Sequence, residues 1–284
     1  MKQFTYLIDK IYKADILSKP FKFVYLENFF NDKHFSQIIQ ANQINTPEFE
    51  NTEQMIDQLI HNYNYSPQPF PGCTTSIEQY LEWIETGQII KGIKDNQDLL
   101  EGFGIALRLK KYHSTILEEL IDFFNSVAFH DCLKEKFEKT DFTTVETAIQ
   151  KYLTGYEISP HPDIRRKCLT YMININPSDQ SEKIDLHTYF MSLNEDKKWI
   201  YDYWKNYTDI DRCWVPWAWA TENFNQRKNN SITIFAPDNN TIHAVKLDYN
   251  HLKFQRTQFY GNLWYKKSKI TPSNWKTLEQ IETS

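Results

Sequence analysis

Six short segments rich in β-branched and aromatic residues follow one another in the second half of the chain. Clusters of Pro, Asn, Asp and Ser separate these segments, which cover residues 145–159, 167–176, 183–191, 231–235, 241–247 and 252–260. Many short strands with such punctuation are typical of a β-sandwich or a barrel, such as a jelly roll. We therefore predict a mainly β fold with flanking helices (α+β), built on a jelly-roll core.

The first 140 residues show helical patterns instead. Residues 21–42 predict a strand that leads into a helix, 76–85 and 112–139 predict further helices, and 102–110 predicts a strand. Polar residues and four prolines over 43–73 predict a long loop. The first half is therefore expected to be rich in helix.

The length of 284 residues would allow about two domains. The simplest organisation is nevertheless one domain over 1–284, with no internal repeat. In this domain, residues 1–140 form a helix-rich scaffold and 141–270 form the β core. An insertion over 195–230 interrupts the core, and five of the 8 Trp of the chain lie in it, between 199 and 219.

Charge and hydropathy exclude several classes of partner. The chain has 32 Lys and Arg against 37 Asp and Glu, a formal net charge of −5, so we expect no nucleic-acid partner. No stretch approaches the ~18 apolar residues of a membrane span, and the amino terminus lacks an apolar export signal. The four cysteines are widely spaced, without a zinc or disulfide pattern. We expect a cytoplasmic protein without a membrane partner.

Residues suited to binding a metal ion occur at close spacing in His161-Pro162-Asp163. On an extended backbone, side chains at positions i and i+2 point to the same face, so His161 and Asp163 can bind one ion together. A third ligand could be His243, 80 residues after Asp163, with His187 as its rival. Two His and one carboxylate leave three octahedral positions open, as in non-haem iron(II) oxygenases. The alternative interpretation of the tripeptide is a surface turn.

Two stretches of the chain resemble the iron(II)/2-oxoglutarate-dependent dioxygenase superfamily. The first, over 157–176, reads EISPHPDIRRKCLTYMININ, in which an HxD is followed by a turn and a strand. In the second, over 235–264, His243 is followed 13 residues later by Arg256 and a short aromatic strand. The resemblance covers residues 145–266 and implies a double-stranded β-helix core, which is cupin-like. The ending Ile-Asn-Ile-Asn is similar to the prolyl-hydroxylase branch.

This resemblance implies a metal centre and an enzymatic activity. His161, Asp163 and His243 would be catalytic residues that bind iron(II). Arg256 would pair with the distal carboxylate of 2-oxoglutarate, because its planar guanidinium suits bidentate recognition. The carboxylate at position 163 implies a hydroxylase. The expected reaction uses dioxygen and 2-oxoglutarate, hydroxylates an unactivated C–H bond, and releases succinate and carbon dioxide.

Further residues are implied to lie near 2-oxoglutarate. Asn174 stands where relatives often place a polar residue beside the cosubstrate. Gln258 occupies the position of a Ser that often follows the family's Arg, and it is the second candidate. Thr170 or Tyr171 could supply the other contact to the carboxylate.

The primary substrate would meet variable elements outside this core. Such oxygenases often insert substrate-covering segments where the Trp-rich stretch lies, so this stretch is either core packing or a lid. Trp214, Trp217 and Tyr201 are the aromatic candidates for substrate contact. Arg166, just beyond the HxD, belongs to a basic cluster that could meet an anionic group or form a solvated turn.

Several functions stay open from the sequence. The substrate would be a small molecule, including a glycan or lipid type, or else a prolyl residue of a peptide. A non-catalytic jelly-roll module that binds a sugar or peptide through its Trp-rich stretch is an alternative from another class. A metal-dependent isomerase or hydrolase of cupin type is a third, and Arg256 argues against it.

Overall fold

The computed structural model describes residues 2–69, 73–87 and 103–266. Residues 70–72 of the predicted loop, Gly102 of the predicted strand and residues 267–270 of the predicted core lie outside these ranges. Within the described residues, the chain forms a mixed α/β structure with two antiparallel sheets.

Seven α-helices occur in the described residues, most of them in the first half. They are α1 (Tyr6–Lys13), α2 (Asp32–Gln40), α3 (Thr52–His61), α4 (Ile77–Thr86), α5 (Thr115–Phe124), α6 (Val127–Lys136) and α7 (Trp199–Asn206). The predicted helices after 31, after 76 and over 112–139 are confirmed, the last as α5 and α6. Asn31 and Ser76 cap α2 and α4, since each side chain accepts a hydrogen bond from a backbone N–H three residues later.

The prediction of a continuous loop over 43–73 is wrong, because α3 lies within it. Asn51 caps this helix by accepting a hydrogen bond from the Gln54 N–H. Met55, Ile56 and Leu59 are buried on one face of the helix, among mostly polar residues. The polar composition of the segment concealed this short apolar stripe, and the four prolines lie outside the helix.

Twelve strands occur in the described residues. They are β1 (Ile16–Leu17), β2 (Phe23–Leu26), β3 (Tyr65–Pro67), β4 (Ala106–Leu109), β5 (Thr143–Tyr152), β6 (Glu157–His161), β7 (Lys167–Asn174), β8 (Thr188–Leu193), β9 (Ala220–Asn225), β10 (Ser231–Phe235), β11 (His243–Lys246) and β12 (Arg256–Tyr265). Each of the six predicted strand segments overlaps at least one of them, and the segment at 145–159 spans parts of two. The predicted strand at 183–191 begins late, because a 3-10 turn occupies Asp179–Lys183.

The strands form two sheets. The larger sheet has the order β1-β2-β10-β7-β12-β5-β4-β3, and the smaller has the order β6-β11-β8-β9. Every pairing between these strands is antiparallel. From β5 onward the chain crosses repeatedly between the sheets: β5, β7, β10 and β12 lie in the larger one, and β6, β8, β9 and β11 in the smaller.

The two faces of the larger sheet pack against different partners. Leu169, Tyr171 and Ile173 of β7 belong to the same buried cluster as Leu120 of α5. Their neighbours in the strand face the opposite way, since side chains alternate along a strand. Gly261 of β12 lies opposite Tyr171, and a Cβ at this position would overlap the tyrosine ring. The helices thus cover an apolar face, and the face turned toward the smaller sheet combines polar residues with Phe23 and Phe235, which form an aromatic cluster with Phe190 of β8.

The Trp-rich insertion packs on the smaller sheet. Trp204 of α7 is 1% exposed and shares a buried cluster with Tyr189 and Met191 of β8. These two side chains alternate with Thr188 and Phe190, which face the larger sheet. Ile200, Trp204 and Val215 of the insertion are therefore core, on the side of the smaller sheet that faces away from the larger one, whereas Trp199 and Tyr203 are exposed. β9, which pairs with β8 and lies within the predicted insertion, was not predicted.

No helix among the described residues combines the length and the apolar character that a membrane crossing requires.

Candidate active site

Two paired strands bring the predicted metal ligands together. His161 ends β6, His243 begins β11, and the two residues are direct partners in the antiparallel register. Their rings lie 4.3 Å apart between centroids. Asp163 follows two residues after His161, and its carboxylate oxygens lie 3.9 Å from Nε2 of His161 and 3.8 Å from Nε2 of His243. All three side chains are buried, and one ligand atom from each lies within 4.8 Å of the others.

Backbone carbonyls fix the tautomer of both histidines. Nδ1 of His161 lies 2.8 Å from the Ser159 carbonyl, and Nδ1 of His243 lies 2.9 Å from the Thr241 carbonyl. A carbonyl can only accept a hydrogen bond, so each Nδ1 carries the proton and each Nε2 is unprotonated. Such an outer hydrogen bond is the usual way in which a protein orients a metal-ligating histidine.

The electrostatics keep the three groups in their metal-binding forms. Burial and the neighbouring His243 lower the pKa of His161 to about 3, and burial likewise lowers the pKa of His243. Burial alone would raise the pKa of Asp163, but Lys167 and the two imidazoles outweigh it and hold that pKa below its usual value. Two neutral imidazoles and one carboxylate are the donor set that a divalent transition metal prefers.

Polar neighbours hold the Asp163 carboxylate in place. Lys167 Nζ donates to Oδ1 at 2.6 Å, and the Thr170 hydroxyl donates to Oδ2 at 2.8 Å. Arg212 Nε donates to the backbone carbonyl of Asp163 at 2.9 Å. Thr170, predicted to lie near the cosubstrate, lines the cavity described below, and its hydroxyl donates a hydrogen bond to the Asp163 carboxylate.

A cavity of about 230 Å³ lies between the two sheets and includes the three predicted ligands in its wall. One end is buried and is formed by Arg256, Tyr152, Tyr156 and Thr188. The other end is partly open and is formed by Lys167, Tyr260, Trp264 and Glu146.

Arg256 dominates the buried end. It is 2% exposed, its Nη2 donates to the Thr188 hydroxyl at 3.0 Å, and its guanidinium lies 4.9 Å from the centroid of the Tyr152 ring. Its Nε is buried without a hydrogen-bond partner, and no ion pair joins Arg256 to any acidic side chain among the described residues. A buried cation with an unused donor fits an anionic ligand group in this end of the cavity.

The two amide candidates occupy different positions. Gln258 lines the cavity, and its Nε2 donates to Asn174 Oδ1 at 2.9 Å. Asn174 does not line the cavity, and its own Nδ2 donates to the Gln226 carbonyl at 2.8 Å. Asn174 therefore lies behind Gln258 and orients it, because the turn before β10 takes up the amide of Asn174. Tyr171 faces the helices, so it cannot supply the second carboxylate contact.

The predicted substrate contacts lie away from the cavity wall. The Trp217 indole N–H donates to Glu157 Oε1 at 2.6 Å, and the Tyr201 hydroxyl accepts a hydrogen bond from the Leu193 N–H. Trp214 is half-buried outside the wall, and Arg166 is exposed. Trp214, Trp217 and Tyr201 belong to the insertion, which packs behind the smaller sheet, so they do not reach the cavity.

The basic cluster after the HxD divides between two roles. Arg165 holds the insertion, with its Nε donating to the Ile210 carbonyl and its N–H to Asp211. Lys167, by contrast, points into the cavity. His187, the rival third ligand, lies outside the metal cluster and donates through Nε2 to the Ser181 carbonyl.

Several wall residues were not predicted, although the sequence carried a signal for some of them. Tyr260 and Trp264 follow Arg256 and Gln258 at even spacing along β12, so the period of two places them on the same face. Glu146 of β5 accepts hydrogen bonds from Arg108, Asn262 and Trp264 at the same open end.

Comparisons with known proteins find similar structures but no similar sequences. No protein-family model and no curated protein matches the chain. A prolyl-4-hydroxylase from Pseudomonas putida aligns over 93% of this chain and 100% of its own, with 7% identity and a TM-score of 0.45. A prolyl hydroxylase in complex with a hypoxia inducible factor peptide, from Trichoplax adhaerens, aligns over 93% and 90%, with 10% identity and a TM-score of 0.43.

A third similar structure is an oxidoreductase of the 2OG-Fe(II) oxygenase family from Burkholderia pseudomallei. It aligns over 76% of this chain and 91% of its own, with 8% identity and a TM-score of 0.32. At these TM-scores the functional inference rests on the site geometry.

Proposed function

We propose that this protein is an iron(II)- and 2-oxoglutarate-dependent dioxygenase that hydroxylates an unactivated C–H bond. One observation carries the proposal. Two neutral imidazoles and one carboxylate bring one ligand atom each to within 4.8 Å of the others, in the wall of a cavity whose buried end holds Arg256. The cation and the metal-ligand set thus share one cavity.

His161, Asp163 and His243 would hold the metal ion. Three protein ligands leave open positions for a chelating cosubstrate and dioxygen. When iron(II) and 2-oxoglutarate are bound, they supply the oxidising chemistry, with release of succinate and carbon dioxide. The protein's own contribution is to fix the ligands, keep the site dry and hold the substrate C–H bond near the metal.

Arg256 would bind the distal carboxylate of 2-oxoglutarate. Its unused Nε and the neighbouring Thr188 hydroxyl offer donors to such a group at the buried end. The Tyr152 ring packs against the guanidinium and limits its movement. Gln258, oriented by Asn174, would face the middle of the cosubstrate along the same strand.

We also propose that the core is a double-stranded β-helix and that the chain forms one oxygenase domain. The repeated crossing of β5 to β12 between the two sheets supports the first point. The second is supported by the shared core, in which Leu7 of α1 and Leu120 of α5 join Ile173 of β7 in one cluster. Residues 1–140 would then be scaffold for the larger sheet.

Succinate formation tests this proposal. Purified protein with iron(II), 2-oxoglutarate and dioxygen should form succinate, and His161→Ala and Asp163→Ala should abolish this turnover. Lys228→Met is a suitable control, because Lys228 forms an ion pair with Glu182 away from the cavity. Unchanged turnover in both site variants would remove the proposed centre. Activity with zinc or manganese but without dioxygen consumption would favour a cupin-type isomerase or hydrolase instead.

A further inference from the structure

The open end of the cavity contains a lysine in an unusual position for a cation. Lys167 is the first residue of β7, and its side chain is only 13% exposed. Its Nζ lies 2.6 Å from Asp163 Oδ1 and 3.1 Å from the Tyr260 hydroxyl. The Tyr260 and Trp264 rings flank the ammonium group, with centroids 5.7 and 5.6 Å from Nζ.

These contacts leave one N–H donor of the Lys167 ammonium group for a further hydrogen bond. A lysine ammonium has three N–H donors, and the two contacts above use two of them. Because the stem and the ring faces hold Nζ in the cavity wall, the third donor is available to a molecule inside the cavity. Lys167 is thus placed to contact a ligand next to the proposed metal centre.

The charges of the loaded site would leave one cation in excess. Iron(II) brings two positive charges, and 2-oxoglutarate brings two negative charges. Asp163 can then offset only one of the two cations in the wall, Arg256 and Lys167. Glu146, also in the wall, is balanced by Arg108 at 2.7 Å. An excess positive charge in a poorly solvated cavity favours a bound anion.

We infer that Lys167 binds a carboxylate of the primary substrate, and that this substrate is a small organic acid. The inference rests on the proposed function and extends it to the class of substrate. Arg256 at the buried end would hold the cosubstrate, and Lys167 at the open end would hold the substrate. Because Lys167 also contacts Asp163, a carboxylate bound to it would lie beside the metal.

The size of the cavity agrees with a small substrate. Its volume of about 230 Å³ is below the roughly 300–1,000 Å³ of sites that enclose drug-sized ligands. The cosubstrate would occupy the Arg256 end, so only a small group fits between the metal and Trp264. Tyr260 and Trp264 would then pack against the apolar part of that group.

Matched acids and amides test this inference by binding. The protein is loaded with zinc(II), which supports no oxidation, and saturated with 2-oxoglutarate. Three probe pairs are then titrated by calorimetry: hexanoate and hexanamide, 3-phenylpropionate and its amide, and N-acetyl-L-proline and its amide. We expect at least one acid to bind about 10-fold more tightly than its amide, because only the acid gains a charged contact.

Variants assign the preference to the lysine. Lys167→Met should remove the preference for the acid, whereas Lys167→Arg should keep most of it. Lys228→Met removes one paired lysine from the surface and should leave the preference unchanged. Raising the 2-oxoglutarate concentration 10-fold should not displace the acid, since the two ligands would occupy opposite ends.

Each other outcome overturns the inference. It fails if no acid binds more tightly than its amide, if the preference survives in Lys167→Met, or if 2-oxoglutarate competes with the acid. Tight binding of N-acetyl-L-prolinamide without a preference for the acid would favour a peptide substrate. Zinc and 2-oxoglutarate binding is measured first: its absence contradicts the proposed function, whereas its presence without acid preference contradicts only the role of Lys167.

Discussion

Buried titratable groups occupy two regions of this molecule, the cavity between the sheets and the helix-covered side of the larger sheet. In the cavity, Nε2 of His161 and Nε2 of His243 both face the carboxylate of Asp163. His251, under the helices, uses both ring nitrogens locally, at 3.0 Å from the Thr52 hydroxyl and 3.3 Å from the Thr154 N–H. Burial alone therefore does not mark a site. What marks it is the convergence of three metal-ligand atoms on one point.

The largest effect should come from removing one converging ligand. His243→Ala should lower succinate formation by about 1,000-fold or more, because the loss of metal-based stabilisation is worth several kcal/mol. Iron(II) binding, measured by equilibrium dialysis, should weaken in parallel. The fold should persist, since the imidazole contributes only two ring contacts, to Phe235 and His161, and one backbone hydrogen bond.

His187→Gln is the matched test of the comparison. His187 is also buried, but it lies outside the ligand cluster and donates to the Ser181 carbonyl, which a glutamine amide can also do. This variant should bind iron(II) as the wild type does. Loss of iron(II) binding in His187→Gln, with retention in His243→Ala, would reverse the assignment of the third ligand.

Under the helices, the expected effect is on stability. Burial lowers the pKa of His251 to about 4, against 6.5 for the unperturbed group. The unfolded chain therefore takes up the proton first as the pH falls. The stability that the neutral His251 contributes is complete above pH 6.5 and is lost toward pH 4, by about 3 kcal/mol. Urea unfolding at pH 7 and pH 4 measures this loss.

The matched variant is His251→Gln. It keeps polar atoms near Thr52 and Thr154 but cannot be protonated, so its unfolding free energy should fall by about 3 kcal/mol less between pH 7 and pH 4. The other buried histidines still titrate in this variant and give the remaining slope. An identical pH dependence in both proteins would show that His251 is not the group responsible.

At the buried end of the cavity, Arg256→Gln should weaken cosubstrate binding without removing the metal. A lost charged hydrogen bond of about 2 kcal/mol corresponds to an increase of about 30-fold in the KM for 2-oxoglutarate. The KM of Arg256→Lys for 2-oxoglutarate should lie between those of the wild type and Arg256→Gln, because the charge remains but the planar fork is lost. An unchanged KM for 2-oxoglutarate in Arg256→Gln would place the cosubstrate elsewhere.

The parts of the cavity differ in how far the sequence could predict them. The metal cluster and Arg256 could be predicted from sequence, because His161, Asp163, His243 and Arg256 lie in or next to short strand-like segments whose order resembles a known motif. Alternation along a strand then fixes their common face. The other residues of the buried end, Tyr152, Tyr156 and Thr188, were not predicted. The inward position of Lys167 could not be predicted, since it depends on the turn at 164–166 that brings this residue back to Asp163.

The errors have physical causes as well. α3 was missed because its apolar stripe is only three residues wide within a polar segment. The sequence does not decide whether the Trp-rich insertion is core packing or a lid, because composition does not tell which face of a sheet a segment covers. The structure places Trp204 in the core behind β8 and so leaves the open end of the cavity to Lys167, Tyr260 and Trp264.

The smallest effect expected is that of Thr170→Val, which keeps the shape of the side chain and removes its hydroxyl. The sequence indicated Thr170 as a cosubstrate contact, but its hydroxyl donates to Asp163 Oδ2 at 2.8 Å. Loss of such an outer hydrogen bond should weaken iron(II) binding by about 10-fold. The KM for 2-oxoglutarate at saturating iron(II) should stay unchanged.

The opposite pattern would restore the sequence-based assignment. If Thr170→Val raises the KM for 2-oxoglutarate and leaves iron(II) affinity unchanged, the hydroxyl contacts the cosubstrate in the working enzyme. A hydroxyl has a single proton, so Thr170 can donate either to Asp163 or to a bound carboxylate, but not to both at once. Measuring the affinities for iron(II) and for 2-oxoglutarate separately therefore decides whether the Thr170 hydroxyl donates to Asp163 or to the cosubstrate.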